Sequence, residues 1–242
     1  MRIALNNVEY AIENTKVLND ISCSLSKGIT YVVGNNGAGK STLLKLLTTA
    51  IQPDDGEINY SLLVRDERVG TYRRKLSIEE IRKIIGFLPQ HFTGHLDMTV
   101  ENYVTYIAFH KGIPRKLVKK MVAHWLKESN LTQVKRKKLR HLSGGQRQKV
   151  GFVQALINLP RICILDEPFE GLDIGERLSF RRILERLSYH SIIIISTHLV
   201  DEIQLAGDDR LIYLSEGKIA YYGGMDGLEN VKQELKEAWM DQ

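Results

Sequence analysis

The chain is predicted to be α/β: a mainly parallel sheet core with an antiparallel β edge and an inserted α-helical subdomain. Three observations carry that prediction. ITYVV (29 to 33) is a short apolar run that ends in a glycine-rich loop, GNNGAGKST, and a helix-patterned stretch follows it. RICILDEP and SIIIIST are two further apolar runs, separated by the helical pattern IGERLSFRRILERL. From about Thr99 to Leu159 the periodicity is mostly helical. Apolar strands alternating with helices imply parallel pairing with both sheet faces covered.

Taken in order, Ile21, Cys23 and Leu25 alternate with Ser22, Ser24 and Ser26, the two-residue period of a half-buried strand. ITYVV is a buried strand ending at Gly34. In STLLKLLTTAI, Leu43, Leu46 and Leu47 recur at helical spacing, and QPDDGE closes that helix with turn chemistry. The segment INYSLLVRDERVGTYRRKLSIEEIRKIIGFLP, between Glu57 and Gln90, is long, and the antiparallel edge is expected there. Thr99 is placed to cap the helix VENYVTYIAF. Pro114 suits the first turn of a helix running to about Glu128, and SGGQRQKVGFVQALIN forms a third. LVDEIQLA reads as a short helix, and RLIYLSEGKIAYYG as a hairpin turning at Glu216 and Gly217.

These elements fit one domain over 1–242, with 1–95 and 160–242 as the core and about 96–159 as the helical subdomain. A length of 242 residues is enough to bury a sizeable core. At the N-terminus, Asn6, Asn7, Glu9 and Glu13 interrupt the apolar run that a signal peptide needs. The isoleucine block Ile192 to Ile195 is far shorter than the ~20 residues that span a bilayer. Any membrane contact is therefore expected to be peripheral. Cys23 and Cys163 sit in ISCSL and RICIL and read as buried thiols, which fits a reducing cytoplasm. The net charge of +5 comes partly from PRKLVKK (114 to 120) and KRKKLR (135 to 140), which read as solvated faces, with phosphate, nucleic acid or an acidic membrane surface as the alternative partners. No nucleic-acid partner is expected.

GNNGAGKST fits G-x-x-x-x-G-K-[ST] and stands between a buried strand and a helix, where that motif works. Gly34, Gly37 and Gly39 let backbone N–H groups wrap phosphates without a Cβ in the way. Asn35, Asn36, Ala38 and Thr42 complete the loop as candidate nucleotide contacts. Lys40 supplies a positive charge for the outer phosphates, and the Ser41 hydroxyl is a candidate ligand for Mg²⁺. ICILDEP then places Asp166 at the carboxyl edge of a strand, near the metal. Glu167 follows as the candidate general base for the attacking water.

With GNNGAGKST, LSGGQRQ and ILDEP in this order, the chain resembles the nucleotide-binding domain of ATP-binding cassette (ABC) transporters over nearly its whole length. The resemblance implies a P-loop NTPase core, ATP and Mg²⁺ as cofactors, and two such domains packed head to tail, as a homodimer or with a related chain. In that arrangement ATP lies between the loop at 34 to 42 of one domain and the LSGGQ loop of the other. Ser143, Gly144, Gly145 and Gln146 match that second loop. Gln90 in IGFLPQ resembles the glutamine that touches Mg²⁺ or the water and links the site to the helical lobe. His198 in IISTH resembles the histidine that contacts the γ-phosphate and helps Glu167 orient water. Gly171, Leu172 and Asp173 match the D-loop, and Tyr10 stands where an aromatic stacks on adenine. Phe169 departs from the family, which commonly has a small hydroxyl residue after DEP.

LPQHFTGHLDMTVENYVTYIAFHKGI is similar to the corresponding region of bacterial exporters of drugs, antibiotics or peptides whose membrane subunit is a separate chain. The expected protein is thus an ATP-hydrolysing subunit, cytoplasmic and peripheral on the inner face of the membrane, bound to an integral membrane transporter subunit. A soluble cassette ATPase acting on an assembly or repair partner is the alternative.

Overall fold

The computed structural model describes residues 1–66, 68–198, 203, 209–224, 231 and 233. The chain begins with β1 (Arg2–Ile12), β2 (Thr15–Leu25), β3 (Gly28–Val33) and α1 (Lys40–Leu47). Next come β4 (Asp55–Asp66), β5 (Gly70–Lys75), α2 (Ile78–Ile84) and β6 (Ile85–Leu88). Three helices follow, α3 (Val100–His110), α4 (Arg115–Glu128) and α5 (Gly144–Leu156), with two 3₁₀ turns between the last two. The chain then continues with β7 (Ile162–Asp166), α6 (Ile174–Ser188), β8 (Ile192–Ser196), β9 (Arg210–Ser215) and β10 (Lys218–Gly223).

Two sheets result. One has the order β10-β9-β3-β8-β7-β6, parallel from β9 to β6, with β10 antiparallel to β9. The other is wholly antiparallel, in the order β2-β1-β4-β5. The antiparallel edge expected between Glu57 and Gln90 is thus part of a separate four-stranded sheet, and β10 adds one antiparallel strand to the edge of the six-stranded one. Hairpin turns explain these connections. Glu13 and Asn14 have φ of 48° and 65°, and Glu216 and Gly217 have 48° and 75°, the left-handed pair that matches strand twist.

The long apolar runs are explained by burial on both faces. Ile193 and Ile195 of β8 and Cys163 and Leu165 of β7 join a core shared with α3, α4, α5 and α6. Ile192, Ile194, Ile162 and Ile164 point the other way, into a second core with α1 and the antiparallel sheet. Both strands are buried at every residue. Alternation therefore gives way to a continuous apolar string, as parallel sheets require.

The helices expected from the sequence start where it predicts, and α2 is one that the sequence reading did not propose. Thr99 accepts from the Asn102 N–H as the cap of α3, and α4 begins directly after Pro114. Of the basic clusters, Lys135 pairs with Glu101, and Lys138 and Arg140 pair with Asp97. Cys163 is fully buried, whereas Cys23 is only half-buried. Phe169 packs 6.0 Å from Phe152, which itself stacks on Phe180 at 4.1 Å, so its ring extends the core beneath the loop before α6. Apart from Ile203, which is buried, LVDEIQLA lies outside the described residues.

Candidate functional site

Four strand ends place the candidate residues. The loop at 34 to 42 leaves the carboxyl end of β3, Asp166 and Glu167 that of β7, His198 that of β8, and Gln90 that of β6. These strands are neighbours in the order β3-β8-β7-β6, so all four groups converge on one edge, where open α/β sheets bind ligands.

The loop is built tightly. At Gly34 (φ +155°) a Cβ would sit 2.3 Å from the Leu214 carbonyl oxygen, and at Gly39 (φ +99°) 2.7 Å from the Leu18 side chain. Only glycine fits either position. Lys40 is buried, and its Nζ donates to the carbonyls of Gly34 at 2.7 Å and Asn35 at 3.1 Å. Burial pulls its ammonium below the ordinary lysine value, while Glu167 and Asp166 oppose the fall. Asn35 Oδ1 is buried with no partner.

A polar cleft of about 280 Å³ opens above the loop, lined by Val17, Asn36, Gly37, Gly39, Lys40, Ser41, Thr42, Gln90, Asp166 and Glu167. Ser41 hydroxyl, Asp166 carboxylate and Gln90 amide oxygen are hard oxygen donors on its wall, the set that suits Mg²⁺. The glycine cradle and the buried cation suit polyphosphate. Glu167 is 7% exposed, and its Oε2 lies 3.0 Å from Nδ1 of His198.

The second glycine loop is elsewhere. Ser143 caps α5: its Oγ accepts from the Gln146 N–H, and Gln146 Oε1 accepts from the Ser143 N–H. This leaves the serine proton and the N–H groups of Gly144 and Gly145 at an open helix N-terminus. None of Ser143, Gly144, Gly145 and Gln146 lines the cleft above 34 to 42. Gly144 instead lines a separate depression with His91, Arg147, Gln148 and Glu170, and Gln90 borders both. Gly145 packs against the D-loop, where a Cβ would meet the Gly171 carbonyl at 2.7 Å.

Asp173 caps α6, accepting from the Glu176 N–H at 2.8 Å, and Glu176 also pairs with Lys149 of α5 at 2.5 Å. Tyr10 is half-buried against the core between the sheets, opposite Leu18 on β2, and does not line the cleft. Two residues that sequence reading passed over touch the Asp166-Glu167 pair. Ser196 Oγ donates to Asp166 Oδ1 at 2.5 Å, and Gln148 Nε2 donates to the Glu167 carbonyl at 3.3 Å. The signal for Ser196 is a hydroxyl residue closing an otherwise apolar buried strand.

A glycine-cradled lysine, an Asp-Glu pair and a histidine lie on one edge of this sheet, and the fold is that of a P-loop NTPase cassette. The chain belongs to the ABC transporter family, whose model matches residues 18–170, and it is an ATP-binding subunit of that family. It is 29% identical over 229 residues to an uncharacterized ABC transporter ATP-binding protein of Methanocaldococcus jannaschii, covering 94% of this chain and 79% of that one. It is 30% identical to the ABC transporter ATP-binding protein NatA of Bacillus subtilis, with 88% and 84% covered. A dimeric structure of a bacterial ABC transporter cassette superposes with a TM-score of 0.74 at 25% identity, over 92% of this chain and 98% of that one.

Proposed function

We propose that the protein hydrolyses ATP with Mg²⁺ between two copies of the cassette, or between this chain and a related one, and so drives a membrane transporter. The observation that carries this reading is the separation of the two glycine loops. The volume of the cleft over 34 to 42, about 280 Å³, falls just below the ~300–1,000 Å³ usual for ligand sites. The N-terminus of α5, capped by Ser143, lies on the same chain but outside that cleft. A head-to-tail pair brings Ser143, Gly144, Gly145 and Gln146 of one copy to the phosphates held by the other, and two half-sites become two sites.

Within that site Gly34 to Thr42 bind the phosphates, and Ser41, Gln90 and Asp166 hold the metal, which neutralises charge on them. Glu167 accepts the proton of the attacking water, His198 orients it, Asp173 borders the partner's nucleotide, and the adenine stacks on Tyr10. Residues 96 to 159 act as a helical subdomain that passes closure to a separate integral membrane subunit. The cargo is a drug, antibiotic or peptide moved outward, a reading supported by the stretch LPQHFTGHLDMTVENYVTYIAFHKGI. Attachment is peripheral, at the inner face and through the membrane subunit; among the described residues no helix is long and apolar enough to cross a membrane.

Capture of the tagged chain from gently solubilised native cells tests the transport assignment. A polytopic membrane protein is expected in near-equal amount. Recovery with soluble partners alone would move the function to a cassette that does not transport.

A further inference from the structure

Glu167 is held at φ 47°, a left-handed conformation that non-glycine residues seldom adopt. Such backbone persists where the surroundings over-determine it. Two side chains from outside the loop do so here, one on each side of the Glu167 residue. Ser196 at the end of β8 is fully buried; its Oγ accepts the Glu167 N–H at 2.9 Å and donates to Asp166 Oδ1 at 2.5 Å. Gln148 on α5 is also buried; its Nε2 donates to the carbonyls of Glu167 at 3.3 Å and Pro168 at 3.0 Å.

We propose that Ser196 and Gln148 are positioning residues that clamp Glu167 in its left-handed conformation, with its carboxylate facing the cleft. The inference rests on the reading of Glu167 as the base. A hydroxyl has one proton and two lone pairs. Ser196 gives the proton to Asp166 and a lone pair to the Glu167 N–H, so one oxygen fixes the metal-side carboxylate and the base together. Gln148 supplies amide hydrogens to two consecutive carbonyls, which stops the peptide after Glu167 from rotating. It lies on the helix that Ser143 caps, so the seat of α5 and the aim of the base are mechanically joined. Neither side chain lines the phosphate cleft, so ATP binding without Mg²⁺ is expected to be unchanged when they are replaced.

The test uses the full chain and reads kcat, KM and the Kd of a fluorescent ATP analogue without Mg²⁺ for Ser196→Ala, Gln148→Met and Glu167→Gln. A base misplaced by about 1 Å can cost roughly 10²-fold, so the first two are expected to lower kcat by about 10- to 100-fold with Kd unchanged. Ser196→Thr, which keeps the hydroxyl, is expected to recover most of the rate. Should Gln148→Met fail to fold, Gln148→Glu keeps the shape while facing both carbonyls with acceptors, and the same kcat loss is expected. Wild-type kcat in the clamp variants beside an inactive Glu167→Gln overturns the clamp alone. A weakened Kd in step with kcat also overturns it, because the cleft rather than the base has then moved. A fully active Glu167→Gln removes the base assignment, and the clamp falls with it.

Discussion

His198 Nδ1 and Glu167 Oε2 lie 3.0 Å apart, joining the ends of the neighbouring strands β8 and β7. The glutamate is 7% exposed and lines the cleft, whereas the histidine side chain is nearly half-exposed and does not line it. The proposed roles, Glu167 as base and His198 as the group that orients the water, rest on this contact. Glu167→Gln keeps the shape and removes the proton acceptor. Since a positioned base typically contributes ~10²–10⁴-fold, phosphate release should fall by that order while ATP still binds. Light scattering with ATP should then show the variant accumulating as a dimer. Ordinary turnover in this variant would take Glu167 out of the mechanism.

Much of this site is legible in the sequence because its parts are local. GNNGAGKST, ILDEP and IISTH each follow a strand whose apolar string marks a parallel sheet, so each motif falls at a carboxyl edge. The hairpin of β4 and β5 is harder to read. β5 is exposed at all six residues, and β4 has little alternation, so no buried face imposes a period. Its turn signals are subtle too: Asp66 Oδ1 accepts from the N–H groups of Arg68 and Val69, and Gly70 has φ +85°. Ser196 and Gln148 act through partners about 20 to 30 positions away, and no spacing in one sequence shows such a contact. Tyr10 carries the same lesson, since an aromatic on an early strand packs in the core or on a ligand with the same local pattern.

Ser143→Arg tests the division of labour between the two glycine loops. The residue caps α5 and lies away from the cleft over Lys40. An arginine there should block pairing on a partner's phosphates, so hydrolysis should be lost. Equilibrium binding of ATP to the monomer should remain at the wild-type level. Losing the Ser143 cap also costs about 1 kcal/mol of helix stability, so a small fall in Tm is expected. Weakened monomer binding would contradict the separation of the half-sites.

Gly86 on β6 fixes how closely α5 approaches the sheet. A Cβ there would sit 1.9 Å from the Ala155 carbonyl oxygen and 2.8 Å from Pro160 Cγ. The nearer obstacle is backbone, which cannot swing aside as a side chain can. Gly86→Ala should therefore overpack the junction and destabilise the fold by about 1–3 kcal/mol or more. Urea unfolding followed by circular dichroism reads this as a lower midpoint. An unchanged midpoint would mean that α5 is free to shift outward.

The two thiols give a pH-dependent prediction whose sign follows from burial. Cys23, half-buried on β2, is pushed up from 9.0 to about 12 by desolvation, and Cys163, fully buried on β7, is pushed up further, with Lys111 opposing. The thiolate is the nucleophile, so the folded chain should resist iodoacetamide at pH 8, while the urea-unfolded chain takes two labels. For stability, a thiol whose folded pKa lies above its unfolded one stays protonated in the native state while the unfolded chain ionises. The stability this represents is complete below pH 9 and drains away as pH climbs toward 12. Replacing Cys23 by alanine should therefore flatten the alkaline fall in urea midpoint, measured between pH 8 and pH 11. The same variant should also show a modest loss at pH 7 from the missing sulfur. Fast labelling of Cys23 in the folded chain would instead place β2 among the strands that open readily.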